Sequence, residues 1–126
     1  MNKGKLIQNG VHLQEHEYAT VKFFLELGYD IELISPSQIK SLHSPDFIMM
    51  GLPWEMKAPK GNGKYTAQNI IQAAAHQSNN IIIDLRRCKM LDNKAIVSYT
   101  KEFEKNKSIK RMKIITKSKE VLDFKK

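Results

Sequence analysis

A chain of 126 residues with 21 Lys and Arg against 13 Asp and Glu, a formal net charge of +8 and one cysteine has room for one core and not for two ordinary domains. The lone Cys88 excludes an internal disulfide or a cysteine-rich zinc site, and no apolar run approaches the roughly 18–20 residues of a membrane helix. A pI near 9.6 points to a polyanionic partner, nucleic acid first and an acidic protein or membrane surface next, although a lysine-rich surface kept for solubility produces the same balance.

Met1-Asn2-Lys3-Gly4-Lys5 is not followed by the apolar core of a signal peptide. The expectation is a reducing aqueous compartment, or a piece of a larger protein with its own export machinery. From about Gln14 to Leu27, Ala19, Val21, Phe23, Phe24, Leu25 and Leu27 predict a helix buried on one broad face and stopped by Gly28. Tyr29 to Ile34 alternates as a strand, closed by Ser35-Pro36-Ser37. Phe47 to Met50 is a second short strand, and Gly51-Leu52-Pro53 is a tight connection into a third.

On that third strand Glu55 and Lys57 stand two apart and emerge on one face, while Trp54 and Met56 face the other way, Trp54 toward the core. A hairpin of this length brings Asp46 opposite them, gathering two carboxylates and an ammonium on one surface. Close carboxylates repel, and a hard divalent cation is the usual remedy; a lysine beside it can orient water or stabilise charge on a phosphate.

Ala58 to Lys64 reads as a basic loop. Thr66 to about Gln77 is an amphipathic helix, Asn80 to Leu85 an isoleucine-rich buried strand, Asp92 to about Asn106 a helix and Met112 to Thr116 a last strand, with a frayed polar tail from Lys117. Cys88 is read as structural. Asn69, Gln72 and His76 share one face of the second helix, either as a polar stripe toward substrate or as an ordinary solvent face. Lys60, Lys64 and Tyr65 can grip phosphates and stack on an unpaired base. Arg86, Arg87 and the lysines from Lys105 to Lys113 read more plainly as solvated faces. His12 and His16, at the helix start, could touch metal or substrate, although lone histidines at a helix entry read more plainly as surface residues.

Pro45-Asp46 followed by Glu55-x-Lys57 resembles the core motif of the PD-(D/E)xK nuclease superfamily. Within it the chain is most similar to the C-terminal tRNase toxin domains of contact-dependent growth inhibition, of the CdiA C-terminal type. The residues that carry this are Glu17-Tyr18-Ala19 with Leu27-Gly28-Tyr29, Pro45-Asp46, Trp54-Glu55-Met56-Lys57 with Pro59 and Gly61, and Gln77 ahead of Asn80-Ile81-Ile82-Ile83-Asp84-Leu85. The resemblance implies an α/β restriction-endonuclease-like αβββαβ core, a mixed sheet of four to five strands flanked by helices, filling residues 1–126 as one nuclease-like domain. It implies Asp46, Glu55, Lys57 and Glu17 as catalytic residues, with Asp46, Glu55, Glu17 and the Met56 carbonyl holding Mg2+, Mn2+ or another divalent ion; Glu15 is the rival to Glu17. Relatives that act on DNA ends carry glutamine-xxx-tyrosine on the second helix, where this chain has Gln72-Ala73-Ala74-Ala75-His76. The implied activity is hydrolysis of RNA, tRNA foremost, by a toxin delivered into a target cell and acting in its cytoplasm, with an acidic immunity protein as second partner. A DNA endonuclease of junction-resolvase or restriction type, and a binding module without chemistry, are the alternatives.

Overall fold

The computed structural model describes residues 3–35 and 44–126; Pro36 and Ser37, expected to close the strand that begins at Tyr29, lie outside them. The elements run β1 (Leu6–Ile7), α1 (Glu15–Glu26), β2 (Ile31–Leu33), β3 (Phe47–Met49), β4 (Leu52–Lys57), α2 (Thr66–Ala75), β5 (Asn80–Asp84), α3 (Asp92–Lys105), β6 (Arg111–Ile115) and β7 (Val121–Lys125). All seven strands form one sheet in chain order. β2, β3 and β4 make an antiparallel meander, β4, β5 and β6 run parallel, β1 joins β2 in parallel and β7 returns antiparallel to β6.

The αβββαβ core with four to five strands is therefore not what the chain builds: among the described residues there is a mixed seven-stranded sheet with three helices. Two strands account for the difference. β1 is only two residues long, too short for any alternation to be read. Gly4 lets it dock: a Cβ there would sit 1.7 Å from the Tyr29 carbonyl oxygen, while the Gly4 N–H donates to Leu25 O at 2.7 Å. β7 occupies the stretch expected to fray. A turn at 116–120, with Lys119 at φ 68°, reverses the chain, and Leu122 and Phe124 pack against the core while Asp123 and Lys125 stay exposed.

The hairpin also turns one residue earlier than expected. Met50 and Gly51 both take positive φ, 56° and 74°, the conformation that matches the twist of the flanking strands. Pro53 is thereby a strand residue opposite Ile48, and its carbonyl accepts hydrogen bonds from Ser78 Oγ and Asn80 Nδ2.

Alternation along the strands divides the core between the two sheet faces. Val21 and Phe24 of α1 pack with Ile31, Leu33, Phe47, Met49, Trp54, Met56 and Ile82. Ala67, Ile71 and Ala74 of α2 and Ala95, Tyr99 and Phe103 of α3 pack with Ile81, Ile83, Met112 and Ile114. β5 is buried on both faces because parallel neighbours flank it and helices cover it. Its three isoleucines are fully buried, each side chain contributing about 1.5–3 kcal/mol of hydrophobic stabilisation. Trp54 is core, as its alternation predicts, with Nε1 donating to the Met49 carbonyl at 3.0 Å. Cys88 is buried against the Gly61 carbonyl.

Candidate active site

A mismatch in strand length opens the site. Pairing of β3 with β4 begins at Phe47 opposite Trp54, so Glu55, Met56 and Lys57 run past the end of β3 while staying paired with β5 through Ile81, Ile82 and Ile83. Asp46 sits at that end. Its N–H donates to the Trp54 carbonyl at 2.9 Å, and its Oδ2 accepts the Met56 N–H at 2.8 Å. The N–H and C=O of one strand residue point to the same side, so the Met56 carbonyl faces the open side beside Asp46.

Glu55 and Lys57 emerge on the face opposite Trp54 and Met56, as the two-residue period requires. The Lys57 Nζ lies 3.2 Å from Glu55 Oε2; Glu55 is 3% exposed and the lysine 25%. Glu55 Oε1 is buried with no hydrogen-bond partner. Burial, then the neighbouring Asp46 charge, pushes the Glu55 carboxyl up to about 8, against the opposing pull of Lys57. Asp46 is also raised, by burial first, with the Met56 N–H opposing and the Glu17 charge adding to the rise. The two carboxyls resist ionising together.

These groups line a cleft of ≈ 390 Å³ that also takes in His16, Glu17 and Thr20 of α1, Ile70 of α2, Gln77 and Arg87. Glu17 is half-buried, with Oε1 accepting the Gln14 N–H at 2.9 Å, which ties it to the start of its own helix. Glu15 is exposed and lines a neighbouring cleft instead. Among the described residues no three His, Cys, Asp or Glu side chains converge as a ready-made metal cage, so Glu17 shares the cleft of Asp46 and Glu55 without completing such a group. The donor set nevertheless suits a hard divalent cation: two carboxyls whose joint ionisation a cation would favour, one buried carboxyl oxygen without a partner, and a carbonyl facing the open side.

The residues expected to hold substrate lie elsewhere. Lys60, Lys64 and Tyr65 are exposed on the loop before α2, with the Lys64 ammonium 5.5 Å from the Tyr65 ring centre. Asn69, Gln72 and His76 share an exposed face of α2, whereas Ile70 and Gln77 are what that segment turns to the cleft. His76 lines a separate hollow with Gln77, Asn80, Lys110 and Arg111.

Sequence reasoning overlooked a second buried acid. Asp84, 4% exposed at the end of β5, accepts from Thr20 Oγ1 at 2.7 Å, from the Arg86 N–H at 3.1 Å and from the Arg86 Nη2 at 2.7 Å. Arg86 also donates to the Ala19 carbonyl and lies over the Phe23 ring. Burial alone would raise the Asp84 carboxyl, but the hydrogen bonds from Arg86 and Thr20 outweigh it and hold it below the usual range. The available signal was an aspartate closing an isoleucine-rich strand with an arginine two residues on.

Residues 43–121 match the family described as contact-dependent growth inhibition CdiA C-terminal domain. The fold is similar to that of a chain in the CdiA-CT/CdiI toxin and immunity complex from Burkholderia pseudomallei, at TM-score 0.70 and 14% identity over 98% of this chain and 100% of that one. At that identity the likeness speaks for the fold alone. Comparison with curated proteins gives no match.

Proposed function

Since the chain belongs to the contact-dependent growth inhibition CdiA C-terminal domain family, we propose that it is a toxin-type, metal-dependent endonuclease that hydrolyses phosphodiester bonds in RNA, tRNA foremost. The observation that carries the reading is the Asp46–Glu55–Lys57 corner: a buried and a half-buried carboxyl that oppose each other's ionisation, the buried one with an unpartnered oxygen and an ammonium 3.2 Å away. Such an arrangement destabilises the free chain and is eased by a cation.

Asp46, Glu55, the Met56 carbonyl and Glu17 would hold Mg2+ or Mn2+, which supplies Lewis-acid charge against the phosphodiester. Lys57, anchored at Glu55, places its ammonium at the rim, where it orients the attacking water or meets the negative charge that grows on the phosphoryl oxygens. Asp46, fixed through the Met56 N–H, keeps its carboxylate aimed along β4. The 126 residues act as one nuclease domain, and the net charge of +8 suits both a polynucleotide and an acidic protein partner; an immunity protein is the partner named for the Burkholderia complex. The family supports delivery into a target cell, with the target's cytoplasm as the place of action.

The test is a cleavage assay offering unfractionated tRNA and plasmid DNA in separate Mg2+ reactions. RNA cut in preference to DNA, with loss of cutting in EDTA, is the expected outcome. Preferential cutting of plasmid overturns the RNA assignment, and cutting of neither overturns the nuclease reading.

A further inference from the structure

Two consecutive arginines follow β5 and are held very differently. The Arg86 guanidinium is engaged by Asp84, by the Ala19 carbonyl and by the Phe23 ring. Arg87 is exposed, makes one hydrogen bond, from Nε to the Ala58 carbonyl at 2.7 Å, and forms no ion pair among the described residues. That bond holds the guanidinium beside Ala58, the residue that follows Lys57. Arg87 also lines both the Asp46–Glu55 cleft and an adjoining cleft of ≈ 440 Å³, walled by Glu15, His16, Ala19, Ala58, Asp84 and Arg86.

Charge makes this position consequential. A polyanion entering these clefts meets Glu15, Glu17, Asp46, Glu55 and Asp84, while Lys57 is paired with Glu55 and Arg86 with Asp84. Arg87 is thus, among the described residues, the arginine or lysine lining the joined clefts that no carboxylate engages. With Nε already bonded, its terminal nitrogens remain as a planar fork suited to two oxygens of one phosphate.

We propose that Arg87 binds the backbone phosphate flanking the scissile phosphodiester, in the cleft next to Asp46 and Glu55. The inference rests on the nuclease reading above and adds a substrate-binding residue to it. Arg87→Gln and Arg87→Lys are compared with wild type in cleavage of unfractionated tRNA, and in binding of tRNA to the cleavage-deficient Lys57→Ala background from about 50 to 200 mM KCl. Arg87→Gln is expected to raise KM and Kd about tenfold and to lower the salt slope of binding by about one, with Tm unchanged; Arg87→Lys keeps the slope and loses less affinity. Wild-type KM, Kd and slope in Arg87→Gln overturn the proposal, as does a loss of activity that only follows a fall in Tm. If tRNA is bound with an Arg87-dependent slope but never cut, the phosphate site stands and the nuclease reading falls; if single-stranded DNA is bound in its place with that dependence, the site stands and the RNA assignment falls. Absence of any Arg87-dependent polynucleotide binding overturns the site itself.

Discussion

Glu55 and Asp84 lie on neighbouring parallel strands, 3% and 4% exposed, and each has a cation two residues on, Lys57 at 3.2 Å and Arg86 at 2.7 Å. They end in opposite electrostatic states. Asp84 is held below the usual carboxylate range, and Glu55 is pushed up to about 8. Burial raises both, so the difference lies in the remaining neighbours. Asp84 has a hydroxyl, a backbone N–H and a guanidinium around it, whereas Glu55 has a second carboxyl beside it and an oxygen with no partner. A satisfied buried acid pins elements together; here it fastens α1 to the end of β5 through Thr20 and Ala19. A frustrated one is a place where a ligand gains free energy by entering.

The contrast is broken most directly by deleting its parts. Asp46→Ala and Lys57→Ala are each expected to reduce tRNA cleavage on the order of 10^3-fold while circular dichroism reports an intact fold; wild-type turnover in both would dismiss the corner as a site. Asp84→Ala should do the reverse. Removing one partner of a buried pair leaves Arg86 uncompensated and costs about 3 kcal/mol of stability in urea unfolding, with cleavage per folded molecule retained.

The two acids should also respond to pH with opposite signs. Folded Glu55 holds a proton that the unfolded chain, near the ordinary value of 4.5, has lost, so its stabilisation is full below about 4.5 and fades as pH rises through about 8. Asp84 lies below its ordinary value of 3.8, so its contribution is present above 3.8 and lost as pH falls. Melting curves should therefore show Glu55→Gln flattening the decline between pH 5 and 8, on the order of 3 kcal/mol, and Mg2+ restoring wild-type Tm at the alkaline end. Asp84→Asn should lower stability throughout the range above 3.8 and flatten the acid limb, where the wild type loses the same contribution. The smallest effect is expected at the start of α1, where Glu17→Ala removes the bond to the Gln14 N–H and costs about 1 kcal/mol, and Glu15→Ala leaves stability unchanged.

Local pattern was enough to reveal the elements around the site. The period of two put Glu55 and Lys57 on one face and Trp54 on the other, the isoleucine run marked β5, and the crossover helix required β4 and β5 to be parallel, which they are. The resemblance carried by the stretches around Glu17, Pro45-Asp46, Trp54 to Lys57 and Gln77 to Leu85 led to the toxin family that residues 43–121 match. The strand and helix readings depend on residues a few positions apart, whose relation the backbone geometry determines, whereas the family came from likeness to known sequences.

The edges of the sheet and the electrostatics of the acids depended on distant partners. β1 exists because Gly4 can lie against Tyr29, and β7 because Leu122 and Phe124 find a core built by other elements. Asp84 and Glu55 look alike along the chain, as do Arg86 and Arg87. Only the folded structure gives Thr20 to Asp84 and Ala58 to Arg87 and leaves the Glu55 Oε1 without a partner, because burial and charge depend on everything within a few Å, whatever its separation in sequence.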